Sequence, residues 1–203
     1  MDNTSSDSRE ASADVDPMAA GGFGIRFLGR LIDTVVATAS GCVAGVFGGI
    51  FLAVLAQLGK VSPGWQTRVN ASLLTNLAWG LLATVACHTL AEGIAGTSIG
   101  KLVLGYRVVS LRDFAPCEPK AAFVRTLGYF VDALFFGIPA YTSMNSSPWA
   151  QRYGDKWAGT AVIKAGALPA RAKRSNGLVA AGLIAGFIAH GVVSAAGLVL
   201  HAM

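Results

Sequence analysis

From Leu31 to Leu58 the chain runs for 28 residues with one charged side chain, Asp33. About 20 apolar residues suffice for a helix to cross the hydrocarbon of a bilayer, so this stretch is long enough to span one. Two further runs are comparable. Ala71 to Ala95 has Asn76, Thr84, His88 and Glu92 as its main polar interruptions, and Leu178 to Leu200 is 23 residues rich in Gly and Ala with His190 as its only ionisable group. A soluble domain carries about 25% charged residues; here the figure is 13%, against 53% apolar residues and a mean hydropathy of +0.55. Too little charge is present to hydrate a globular surface. These numbers exclude an ordinary soluble enzyme and predict a membrane protein with spans near 27–58, 71–95 and 178–200.

The remaining segments fall between these spans. Residues 1–22 are rich in Ser, Asp and Ala, lack the cationic start of a signal peptide, and read as a disordered acidic tail. Residues 59–70 read as a polar connection with a Pro-Gly turn and an interfacial Trp65. In the segment 101–109, Leu102, Leu104, Tyr106 and Val108 alternate with their neighbours, which predicts a strand; GTAVIK at 159–164 is a second β-like run able to pair with it. Residues 120–143 are apolar but contain Asp132 and the break Gly137-Ile-Pro139, the pattern of a kinked span or a re-entrant hairpin. The expected fold is an all-α membrane protein with three full transmembrane helices, one such hairpin and a small cytoplasmic two-stranded β element. Its divisions are the tail 1–22, a membrane domain 23–164, a basic linker 165–177 and an additional C-terminal helix within 178–203.

Charge placement chooses between the two treatments of 120–143. The net charge of +5 is a −4 tail over residues 1–20 followed by a +9 body. If 120–143 crosses fully, the Lys and Arg residues divide eight to eight between the two sides; if it enters and leaves by one face they divide fourteen to two, leaving Lys60 and Arg68 opposite. Cations gather on the cytoplasmic side of membrane proteins, which favours the re-entrant arrangement and a cytoplasmic N-terminus.

Three segments carry a resemblance. RFLGRLID (Arg26 to Asp33), GTSIGKLVLGYRVV (Gly96 to Val109) and QRYGDKWAGTAVI (Gln151 to Ile163) together resemble the RDD family of small bacterial membrane proteins, named for an Arg, an Asp and a second Asp. Arg26, Gly29, Ile32 and Asp33 match its opening, Gly100-Lys101 its Gly-Lys element, and Asp155, Ala158, Gly159 and Thr160 its ending. The resemblance covers about 22–164 and leaves out the acidic tail and the last helix. It implies a transport role, with cation or proton exchange among the activities proposed for such proteins.

The residues themselves point to two candidate sites. Arg26 and Asp33 lie on one helical face two turns apart, with Arg30 three residues before Asp33. Together with Asp155 they form a candidate charge cluster. A carboxylate entering a membrane helix needs a partner or water, so the cluster is either a cation or proton site in which Asp33 titrates and Arg26 tunes it, or a fixed ion-pair staple. The second candidate is an intramembrane polar site of Asp132, Glu92 and His88. There Asp132 lines a cavity at the helix break, caps locally or pairs with Arg125, and His88 relays a proton with Glu92 or is a hydrogen-bonded core histidine. Gly41, Gly45 and Gly49, with Gly182 and Gly186, offer small-residue faces for helix packing and for contacts between protomers of a homo-oligomer. His190 reads as a packing or interhelical hydrogen-bonding residue.

No nucleophile elbow, zinc motif or P-loop is present, and Ser98 and Ser143 have no identifiable base, so neither an enzyme, a metal nor a cofactor is expected. Cys42 and Cys87 sit in apolar runs and read as packing residues. Nucleic acid is not an expected partner; the lipid bilayer is, and a soluble partner could engage the acidic tail. Two functions from different classes follow. One is an oligomeric transporter or channel-like protein for a cation, proton or small solute; the other is a scaffold or accessory subunit, its acidic tail and basic 164–174 segment recruiting soluble partners or anionic lipid.

Overall fold

The computed structural model describes residues 15–62, 64–71 and 73–202; residues 1–14 of the expected tail lie outside them. The three longest helices are α1 (Phe23–Gln57), α3 (Leu73–Ala95) and α8 (Asn176–Ala202), each long and apolar enough to cross a membrane. The short α2 (Trp65–Ala71) precedes α3, in a stretch read above as a polar connection. Large apolar side chains along α1 and α8, including Val43, Phe47, Ile50, Ile184 and Val192, remain exposed. That outward apolar surface has no place in water but is normal against lipid. At about 1.5 Å per residue, the 35-residue α1 is about 52 Å long, well beyond the roughly 30 Å hydrocarbon core. Its first turns, with Arg26 and Arg30, therefore reach the interface.

Helix α8 packs against both α3 and α1 and holds them apart. Its glycines set the approach to α3. A Cβ at Gly182 would come within 2.6 Å of the Ala95 nitrogen, at Gly186 within 2.8 Å of the Cys87 carbonyl, and at Gly197 within 2.6 Å of the Trp79 ring. This small-residue face is thus occupied within the chain rather than left for another protomer. On α1 only Gly41, against His190, and Gly48, against Leu198, meet α8, while Gly45 and Gly49 face open space. The period of four does not hold at the contact, where Gly48 rather than Gly49 meets α8. Gly186→Leu is expected to lower stability by about 1–3 kcal/mol through overpacking against α3, read as a drop in thermal midpoint in detergent, whereas Gly45→Leu leaves it unchanged.

Between α3 and α8 the chain builds a compact unit of short elements. A five-residue helix α4 (Ile99–Val103) leads into β1 (Tyr106–Ser110), then come α5 (Pro119–Asp132), α6 (Ile138–Asn145), α7 (Tyr153–Ala158) and β2 (Thr160–Lys164). The strands pair antiparallel, Tyr106 opposite Lys164 and Ser110 opposite Thr160. The expected strand thus begins later than its alternation suggested: residues 101–103 are helical, with the Gly100 amide turned toward Asp33, and Gly105 at φ +76° then redirects the chain. Helices α5 and α6 bend by 99° at their junction. Since β1 precedes this pair and β2 follows it, the pairing of the strands returns the chain to the face it left. Pro139 starts α6 rather than kinking it, and the turn is made by Phe135 and Phe136 in left-handed conformation, followed by Gly137 at φ +87°. Phe136 is fully exposed.

Residues 15–22, read above as part of the disordered tail, are folded. Asp16 accepts the Met18 amide to cap a short 3-10 turn, Ala20 bridges to Ile163, and Val15 joins Val109, Phe114, Ile163, Leu168 and Ala172 in a buried apolar cluster. The linker contributes Leu168 and Ala172 to that core. Cys117 is buried beside Val108, Ala122 and Val162, and burial pushes its thiol up to about 12. It is therefore expected to resist maleimide at neutral pH until the protein is denatured, which mass spectrometry of labelled protein checks.

Candidate functional site

The first turns of α1, the end of α3, α4, α5 and α7 bring their charges together in one buried network. Arg26 is held on every side: Nη1 donates to Asp155 Oδ2 at 2.5 Å, Nε to the Gly21 carbonyl at 2.7 Å and Nη2 to the Ala150 carbonyl at 2.9 Å. Arg125, 1% exposed, stands between Glu92 (3.1 Å) and Asp155 (2.9 Å). Glu92 also accepts Lys101 Nζ at 2.5 Å, and that ammonium donates on to Ser98 Oγ at 3.2 Å. Ser98 in turn donates to Asp33 Oδ2 at 2.6 Å, while the Gly100 amide donates to Oδ1 at 2.7 Å. The chain of contacts from Arg26 through Asp155, Arg125, Glu92, Lys101 and Ser98 to Asp33 has no break.

Burial alone would raise the Asp155 carboxyl, but the guanidiniums of Arg26, Arg125 and Arg152 outweigh it and hold it well below the ordinary carboxylate range. For Lys101 burial is the larger effect, and its ammonium lies below its ordinary value despite Glu92.

Close backbone approach makes these contacts possible. A Cβ on Gly100 would overlap the Gly29 carbonyl of α1, and one on Gly128 of α5 would overlap Gly154 of α7. Glycine at these crossings lets α4 settle on α1 so that its amide reaches Asp33, and lets α7 settle on α5 so that Asp155 reaches Arg125.

Arg30 is the exception. It makes no ion pair among the described residues; its Nη1 lies 2.6 Å from His88 Nε2 and its guanidinium carbon 4.1 Å from the centre of the Tyr129 ring. Because an arginine can only donate, His88 Nε2 accepts and the imidazole is neutral, with its proton on Nδ1. That buried Nδ1 has no hydrogen-bond partner among the described residues.

Three cavities meet around Arg30. A small one lies among Arg30, His88, Glu92, Lys101 and Arg125. A second, of about 370 Å³, is walled by Phe23, Phe27, Tyr129, Phe136, Arg26 and Arg152. The third, of about 500 Å³, is a groove between α1 and α3 floored by α8; from Arg30, Asp33 and His88 it runs past Thr38, Thr84 and Asn76 to His190 and Ser194. Asn76, Ser194 and Gly45 continue into an adjoining space beside Trp79.

The sequence-derived sites are rearranged accordingly. Arg26 and Asp155 do pair, across 129 residues of chain. Arg30 and Asp33 separate, one turning to His88 and Tyr129 and the other to Ser98 and Gly100. Asp132 accepts the Tyr153 amide at 2.9 Å and the Gly154 amide at 3.4 Å, with Arg152 at 3.9 Å; it lines the second cavity at the bend, as expected, and caps α7 from another helix, and Arg125 is not its partner. His88 and Glu92 form no relay, since Arg30 takes the imidazole while Lys101 and Arg125 take the carboxylate. Arg125, Lys101, Ser98, Arg152 and Tyr129 were not singled out as members of the cluster. The sole signal for Arg125 was a cation in an otherwise apolar amphipathic segment.

Three membrane-length apolar helices, a bent helix pair and a two-stranded sheet, tied by an arginine–aspartate network at one membrane face, define a multi-pass integral membrane protein. The sequence profile described as the RDD family matches residues 20–159, a span that holds Arg26, Asp33 and Asp155. The chain belongs to the RDD family. No curated protein and no solved structure matches it.

Proposed function

We propose that this protein moves a small solute or proton across the membrane along the groove between α1 and α3. The observation that carries this reading is a row of polar side chains along an otherwise apolar cavity at span depth. Thr38, Asn76, Thr84, His190 and Ser194 lie along it, and Arg30, Asp33 and His88 close its inner end. Polar side chains inside a bilayer are costly and gather where water or a solute passes. With its ion pairs satisfied, the network of Arg26, Asp155, Arg125, Glu92 and Lys101 is the fixed frame, and Arg30 with His88 is the part that meets the solute. The groove is open along one side, and a second copy of the chain closes it. The β element and N-terminus lie on the cytoplasmic side of the inner membrane, with fourteen of the sixteen Lys and Arg residues.

The test is flux in proteoliposomes, using a trapped pH-sensitive dye and imposed potassium, sodium and proton gradients. Purified protein should move protons or the driving ion faster than protein-free vesicles, and Ser194→Leu, which fills the groove, should return the rate to background in a protein that still folds. A rate unaffected by Ser194→Leu, or no flux under any gradient, refutes the reading. The second reading, a membrane scaffold, is favoured by one observation: both oxygens of Asp33, Glu92 and Asp155 are already engaged, as a static brace requires.

A further inference from the structure

We infer that the cavity between the start of α1 and the α5–α6 bend binds the phosphate of an anionic phospholipid drawn from the surrounding bilayer. The inference begins with charge. Five cations, Arg26, Arg30, Lys101, Arg125 and Arg152, converge at this membrane face against four carboxylates, Asp33, Glu92, Asp132 and Asp155. Among the described residues the network leaves one positive charge over, and it resides on Arg30, which has a neutral imidazole and an aromatic ring beside it. Arg30 is half-buried, and a charge partly withdrawn from water into such surroundings favours a counter-ion. Arg152 is a weaker second donor: its Nε lies 3.6 Å from Asp155 and 3.9 Å from Asp132, and this buried atom makes no hydrogen bond. Asp132 also lines the cavity, but both its oxygens accept backbone amides of α7.

The rest of the wall fits a lipid better than a free anion. Phe23, Phe27, Tyr129, Phe136 and Met144 give the cavity an apolar body, and its roughly 370 Å³ lies in the range that encloses a whole small molecule. Around its mouth, Phe27, Leu134, Phe135, Phe136 and Ile138 are exposed large apolar residues on elements at the membrane face. Phe135 and Phe136 hold left-handed backbone conformations that place this apolar rim at the bend. Guanidinium at the back and apolar side chains at the mouth match a phosphate headgroup followed by acyl chains. The site shares Arg30 with the α1–α3 groove, but its test reads lipid binding and not flux, so the two readings fail separately.

The test uses full-length protein in detergent, with short-chain phosphatidylglycerol, short-chain phosphatidylcholine and inorganic phosphate as separate probes, binding being read from the thermal midpoint. Phosphatidylglycerol should stabilise saturably and more than phosphatidylcholine, and Arg30→Gln should weaken its binding by about tenfold or more. Equal binding by Arg30→Gln, or inorganic phosphate matching phosphatidylglycerol, overturns the proposal. Should Arg30→Gln fail to fold, Phe136→Trp with Arg30 intact decides the matter, since that position is fully exposed. Brominated phosphatidylglycerol should then quench the added tryptophan more strongly than brominated phosphatidylcholine, and equal quenching overturns the assignment.

Discussion

Asp155→Asn will destabilise the folded protein by about 3–5 kcal/mol, the cost of removing one member of a buried ion network. Asp155 has no exposed surface. It receives Arg26 and Arg125 directly, with Arg152 at 3.6 Å and the Arg152 amide at 3.2 Å. An amide side chain keeps the shape but not the charge, so the guanidiniums lose their common counter-ion where water cannot replace it. Arg26 then has only the Gly21 and Ala150 carbonyls, and Arg125 only Glu92. Because these residues act as one unit, adding Arg125→Met to Asp155→Asn should cost less than the sum of the two alone. Thermal unfolding in detergent measures both, with Glu118→Gln as control. Glu118 is exposed at the start of α5 and makes no capping bond, so its substitution should stay within about 0.5 kcal/mol of wild type.

The same residue fixes an acid response. A carboxyl whose folded pKa is depressed contributes stability that is present above its unfolded pKa and is lost only as pH falls through the folded value. Asp155 is held well below the ordinary range, so its contribution is complete above about pH 4, the unfolded carboxylate value. The wild-type thermal midpoint should gain nothing from Asp155 between pH 5 and 7, and the difference between wild type and Asp155→Asn should be constant across that interval. A difference that shrinks between pH 7 and 5 would mean the carboxyl titrates there and the brace is not fixed.

Gly100→Ala should be the most damaging single-methyl change, at about 3 kcal/mol or more. The added carbon meets the backbone carbonyl of Gly29, and backbone cannot rotate aside as a side chain can. To relieve the overlap, α4 must lift from α1, which breaks the Gly100 amide bond to Asp33 and draws Ser98 and Lys101 out of the network. Gly105→Ala is the comparison. Its Cβ meets nothing, but the residue holds φ +76°, so only the left-handed backbone penalty of about 1–2 kcal/mol applies. Equal midpoints for Gly100→Ala and wild type would mean the crossing of α1 and α4 is looser than described.

Some of this was legible before any coordinate. The spans were written in uninterrupted apolar length, and the pairing of 106–110 with 160–164 was foreshadowed by two short β-like runs and by the charge count that puts them on one face. The pairing of Arg26 with Asp155 was legible as a charge cluster, though only among other possibilities. What failed was the assignment of partners at short range. Arg30 and Asp33 are neighbours on a helical face, yet each is drawn away by a residue from another element. Residues 101–103 alternate like a strand yet are helical, with the amide of Gly100 turned toward a buried carboxylate. The glycines of α8 were legible as a packing face, but not that the face is filled by α3.

The sequence by itself determined that this chain dissolves in a bilayer, where its spans lie, and which few charges must be accounted for. Each of those follows from hydrophobic length and from the cost of an unpaired charge, quantities local to a segment. Only the tertiary structure decided which charges neutralise one another and that Arg30 is left over among the described residues. Ion pairing acts through space between residues up to 129 apart in the chain, and no local period records which of several cations will arrive beside a given carboxylate.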